Sequence, residues 1–286
     1  MLGTMALWMC GLLIGCSRAE PSTEVQARKI ATVDPSHGRW SIGMLGDRAF
    51  VLTGRHLLVF DAQGKNATDQ EGIHSVAESL PDGRVLVSGT KGTHILAPNG
   101  STIEVPGGPH QGAVAGPGGF LVVGERTVER VGMNGKVVGS LPITAHPFPS
   151  CLAMDRSDVV AFSTFPEGTL SVWTPHETKA FEVKTGPCAF NGSGDLISSQ
   201  GTKLVRIDVE TGTVSAETEV GMVRDVHLAN QVIWVATRED GLRRFHPKTL
   251  EPLDAPALPD GKIVMGPGPD GHLMVVDATG QIWEMW

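Results

Sequence analysis

Five cations recur at one place in a repeating pattern. Arg55, Lys91, Arg126, Lys203 and Arg238 lie 5, 6, 6, 7 and 6 residues after the apolar anchors Phe50, Val85, Phe120, Leu196 and Val232. If the repeats are arranged alike in space, these cations share one surface and form a partial crown of positive charge, whose field would attract anions. His74 and His110 precede two of the anchors by 11 and 10 residues and are expected on the same surface, as donors that charge below about pH 6.5. Glu125, Glu167 and Glu239, beside these cations or in place of one, would neutralise part of that field.

Two cysteines form the second constellation. Cys151 and Cys188 each stand eight residues before an anchor, Val159 and Leu196, and so hold equivalent places in adjacent repeats. In an oxidising compartment they are positioned to form a disulfide; the alternative is two buried thiols acting as small hydrophobes. Metal and active-site chemistry have less behind them. No Cys-x-x-Cys, His-Glu-x-x-His, Gly-x-Ser-x-Gly, phosphate loop or dinucleotide fingerprint is present. The histidines His37, His74, His110 and His146 precede their anchors by 13, 11, 10 and 13 residues, a spacing too loose to imply a metal site. Asp82, Asp158, Asp195 and Asp270 fall where hairpin turns use aspartate. No catalytic residue, metal or cofactor is assigned from the sequence.

Composition sets the elements that carry these residues. The 286-residue chain has 36 Gly and 19 Pro, 41% apolar residues and no Tyr, which favours many turns between short strands over long helices. A formal charge of −8 without a basic tract argues against a nucleic-acid partner. Seven apolar runs, starting at Phe50, Val85, Phe120, Val159, Leu196, Val232 and Leu273, are spaced by 35, 35, 39, 37, 36 and 41 residues. That is the period of a four-stranded propeller blade. Pro81-Asp82-Gly83, Pro117-Gly118-Gly119 and Pro269-Asp270-Gly271 turn the chain before the anchors, and Asn99-Gly100 and Asn134-Gly135 turn it after the next strand. The anchored strands are apolar at successive positions, as expected where neighbouring blades cover both faces.

Segments such as Leu204–Gly212 (LVRIDVETG) resemble the WD-repeat-like and quinoprotein-like β-propellers over about residues 29–286, although the Trp-Asp dipeptide of WD repeats is absent. The resemblance implies an all-β, seven-bladed propeller of antiparallel four-stranded blades and carries no activity with it. The last unit reaches only its third strand, Gln281–Trp286. Lys29–Val33 is the expected supplier of the fourth, closing the ring and covering a sheet edge. A six-bladed ring with a stray hairpin is the alternative.

The first segment reads as an export signal. Residues 1–15 are apolar and uncharged, and Leu13-Ile14-Gly15-Cys16 resembles the lipobox of bacterial lipoproteins. That resemblance implies acylation at Cys16, an outer-membrane address suggested by Ser17, a tether over residues 16–28 and the propeller over 29–286. An ordinary signal peptide with an incidental Cys16 is the alternative. The expectation is therefore a monomeric, lipid-anchored binding or scaffold module of the cell envelope, facing the periplasm or cell surface, with an envelope protein or anionic polymer as partner. The competing reading is a hydrolase- or lactonase-type propeller enzyme. Carboxylates with raised pKa at the channel would favour it.

Overall fold

The seven apolar runs mark the second strands of seven four-stranded antiparallel sheets. The computed structural model describes residues 25–36, 38–143, 149–164, 169–174, 176–239, 241–259 and 261–286. Numbered along the chain, blades 1 to 6 begin with the strands Arg39–Leu45, Ile73–Ser79, Gly112–Gly116, Pro149–Met154, Cys188–Phe190 and Val223–Ala229, and each is built of four consecutive strands. Blade 7 begins with Val264–Pro267 and takes its outermost strand from the other end of the domain. Ala27–Thr32 pairs antiparallel with Gln281–Met285, with Ala27 opposite Met285 and Thr32 opposite Gln281. Gln26 and Trp286 extend the seam by exchanging backbone bonds of 3.0 and 3.1 Å. The ring therefore has seven blades and closes with an N-terminal strand, which starts two residues before the sequence boundary at Lys29.

The blades hold together through apolar layers, one between each neighbouring pair. Val51 and Phe60 of blade 1 pack with Met274 and Ile282 of blade 7, and Phe50 and Leu52 turn to Ile73, Val85 and Val87 of blade 2. Phe50, Val51 and Leu52 are fully buried because the side chains of a strand alternate between its two faces, and each face meets a different blade. The first strands pack against one another in ring order around the axis. Close approach there needs small residues. A Cβ on Gly266 of blade 7 would fall 1.9 Å from the Ile42 carbonyl oxygen of blade 1, and one on Gly43 would fall 2.1 Å from Ser79 Oγ of blade 2.

Hydrogen bonds show which loops share a face. At one end the turns between first and second strands interlock: Gly46 N–H donates to the Gly83 carbonyl and Asn230 N–H to that of Gly271. Arg48 and Arg84 add bonds of 2.8 Å to the carbonyls of Pro98 and Met133 in third-to-fourth strand turns. At the other end the interblade connections meet the second-to-third strand turns. Gly72 N–H donates to Arg55, Ile143 N–H to Arg126, and Arg238 N–H to Met222.

Candidate functional site

The cations of the repeat pattern share the end where interblade connections meet. Arg55, Lys91, Arg126 and Arg238 are exposed there and form no ion pair among the described residues. Lys203 opens the third strand of blade 5 and is tied to Glu217 at 2.7 Å, so its charge is already matched. His110 does not join this crown as expected. His110 is 1% exposed: Thr93 Oγ1 lies 2.7 Å from its Nδ1, and its own N–H donates to Ser88 Oγ. Burial lowers its pKa, with the Glu129 charge opposing, so it knits blades 2 and 3 together and does not serve as a surface donor. His74 falls within the first strand of blade 2, and its side chain lies outside the described residues, as do His37, His146, Glu167 and Cys16.

The cysteines meet as expected. Cys151 and Cys188, on the first strands of blades 4 and 5, form a disulfide with an S–S bond of 2.07 Å and Cα atoms 5.3 Å apart. The hairpin aspartates sit in turns: Asp82 bonds Arg84, Asp158 and Asp270 take positive φ values of 61° and 52°, and Asp158 also pairs across to Arg130 of blade 3 at 2.6 Å. Among the described residues no group of three or more His, Cys, Asp or Glu is placed to hold a metal ion.

The site the sequence did not reveal lies on the axis. First strands of all seven blades line a cavity of about 730 Å³, bordered by the first-to-second strand turns at Gly46, Pro81, Pro117, Asp155, Gly192 and Asp270. It is thus bordered by the turns of the face opposite the cation crown. The antiparallel order explains the separation, because each successive turn of a blade falls at the alternate end of the ring.

Three of the titratable side chains lining this cavity, Glu78, Asp225 and His227, stand on first strands. Asp225 and His227 stand two apart on the first strand of blade 6, so they share one face, with His227 Nε2 3.4 Å from Asp225 Oδ2. Glu78 comes from the first strand of blade 2, three blades away in one direction and four in the other. Its neighbours fix that strand: Ser79 Oγ accepts from Met44 N–H at 2.7 Å, and Ser41 Oγ donates to the Ala77 carbonyl at 2.5 Å. Burial pushes the Glu78 carboxyl from 4.5 up to about 7, against the opposing pull of the His227 charge and the Ala115 N–H. For His227, burial pulls the pKa down, but the charge and hydrogen bond of Asp225, aided by Glu78, outweigh it and hold the ring protonated to higher pH than usual. At neutral pH the cavity therefore holds a carboxyl poised between its acid and base forms beside an imidazole whose protonated form is favoured and which Asp225 orients.

One sequence signal could have pointed here. Asp225-Val226-His227 places two polar side chains on alternate positions of a strand expected at the axis, and Glu78 is the acidic member of another such strand. Their meeting depends on ring closure, which neither segment encodes alone.

No family model and no curated protein matches the chain. Solved structures do match. A catalytically inactive variant of virginiamycin B lyase from Staphylococcus aureus, determined with quinupristin, superposes with a TM-score of 0.70 at 13% identity, covering 92% of this chain and 99% of that one. A streptogramin B lyase gives 0.68 at 13% identity, covering 94% and 99%. The WD40 β-propeller domain of Doa1 gives 0.70 at 13% identity, covering 92% and 97%. At this identity the likeness shows the propeller fold alone, and it embraces both lyases and a WD40 domain.

Proposed function

We propose that the protein takes a small molecule into its axial cavity and transfers a proton on it, with Glu78 as the exchanging acid or base and His227, oriented by Asp225, as the donor. The observation that carries this reading is the convergence of Glu78 and the His227–Asp225 pair from blades 2 and 6 on one cavity of about 730 Å³. A cavity of that size fits a drug-sized molecule, and a carboxyl titrating near pH 7 is matched to acid–base work at neutrality. The lyases among the fold neighbours support the reading only at the level of architecture. The test is a thermal-shift screen of small molecules at pH 7 against the native protein and the Glu78→Gln and His227→Gln variants. Ligands that stabilise the native protein should lose their effect in both variants. Binding that is indifferent to both would refute the reading.

A second reading, a binding module for an anionic partner, draws support from Arg55, Lys91, Arg126 and Arg238, exposed and without an ion pair among the described residues. The partner would be an acidic protein segment or an anionic envelope polymer, held with an affinity that falls as salt rises. Changing Arg55, Arg126 and Arg238 together to Glu should abolish retention on a dextran sulfate column that holds the native protein at low salt. Equal retention of the triple variant would remove this reading. The address is proposed from sequence: acylation at Cys16 would tether the propeller to the envelope, and Cys16→Ala should end lipid labelling.

A further inference from the structure

We infer that the axial cavity selects ligands carrying a protonated amine on an apolar body, the ammonium group seating against Glu78. This deepens the small-molecule reading and rests on it. The ionisable groups lining the cavity are four carboxylates, Glu78, Asp155, Asp225 and Asp270, against Arg156 and His227. Several of these charges are already engaged. Asp155 Oδ1 accepts from the N–H groups of Ser157 and Val159, both at 2.8 Å, and so closes its own turn. Asp225 is matched to His227. Arg156 is exposed at the rim, where it also borders a smaller cavity of about 300 Å³ with Ser157 and Ser193. Asp270 sits in an exposed turn. That leaves Glu78 as the interior carboxyl that forms no ion pair among the described residues, since His227 pairs with Asp225 and acts on Glu78 only through its charge.

The walls define the rest of the ligand. Met44, Val114, Leu152, Met154 and Leu228 line the cavity, and none of them is fully buried although all are apolar. Met154 reaches across Gly116, where a Cβ would lie 2.7 Å from its sulfur, so the glycine makes room for this flexible wall. Apolar surface left open to a cavity gains from an apolar guest, and methionine adapts to its shape.

Proton balance follows from the same geometry. The groups facing Glu78 are the Ala115 N–H of blade 3 and the Asp225 and His227 side chains of blade 6. The strand of blade 1 that packs on its own contributes Met44 to the cavity. Burial keeps part of the Glu78 population protonated at pH 7. An arriving ammonium supplies the countercharge that burial withholds, so the carboxylate forms and its proton leaves to solvent.

The experiment uses three probes with one body and different charge, 4-phenylbutylammonium, 4-phenylbutanamide and 4-phenylbutanoate. Calorimetry at pH 7 is run in phosphate and in Tris, and methyl NMR follows Met44, Met154 and Leu228. The ammonium should bind at least tenfold more tightly than the amide and the carboxylate more weakly still, with proton release seen as a buffer-dependent enthalpy. Glu78→Gln should shrink the ammonium preference below threefold and abolish proton release. A carboxylate that binds as well as the ammonium, or an ammonium preference that survives in Glu78→Gln, overturns the charge assignment while leaving the cavity reading intact. If no probe of any charge moves the three methyl signals, both the inference and the small-molecule reading fall.

Discussion

Replacing Glu78 by Gln should make the protein's stability less sensitive to alkaline pH. In the native state the Glu78 carboxyl titrates at about 7 instead of 4.5, so the fold holds a proton that the unfolded chain has already released. A raised carboxyl pKa therefore costs stability as pH climbs from the unfolded value through the folded one. With about 1.36 kcal/mol per pKa unit, the loss accrued between pH 5 and pH 8 is about 2.5 kcal/mol, and solvent entering the cavity reduces it toward about 1 kcal/mol. Other groups titrate in the same window. His227, with its raised pKa, loses its contribution in the same direction as pH rises, whereas His110, with its lowered pKa, destabilises the fold as pH falls below its ordinary 6.5. The informative quantity is therefore the difference between Glu78→Gln and native protein. It should be measured by urea unfolding without reductant at pH 5 and 8, and repeated in a His227→Gln background because the two groups interact. The variant should gain about 1 to 2.5 kcal/mol relative to native protein between the two pH values. A difference that stays constant from pH 5 to 8 would show that Glu78 ionises in the fold as it does in the unfolded chain, and the argument for its burial would fail.

Two further outcomes test the scaffold. The Cys151–Cys188 bond closes a separation of 37 residues, so its removal by paired Cys→Ser substitution should cost about 4 kcal/mol in the chain-entropy account. An unfolding midpoint indifferent to reductant would refute it. Removal of residues 1–24 should leave the folded domain intact, whereas removal through Val33 takes away the strand Ala27–Thr32 and the Arg28 contact to the buried Glu284, exposing the Gln281–Met285 edge to aggregation. Equal solubility of the two truncations would argue against that closure.

What the sequence determined by itself was repetition and its local chemistry. Apolar runs at a blade period, Asn-Gly and Pro-Asp-Gly turns, and strands apolar at every position are local signals, and seven four-stranded blades follow from them because each fully apolar strand needs a cover on both faces. The disulfide was legible for the same reason, since Cys151 and Cys188 hold one register position in adjacent repeats. Only the closed ring decided the rest. The cations and the cavity mouth fall on opposite faces because antiparallel strands reverse the chain at every turn, and His110 is withdrawn from the surface by Ser88 and Thr93 of the neighbouring blade. Glu78 and His227 stand far apart in the chain on blades 2 and 6. They become one site only when the first strands converge on the axis, and the burial that raises the Glu78 pKa is a property of that convergence, which no local pattern contains.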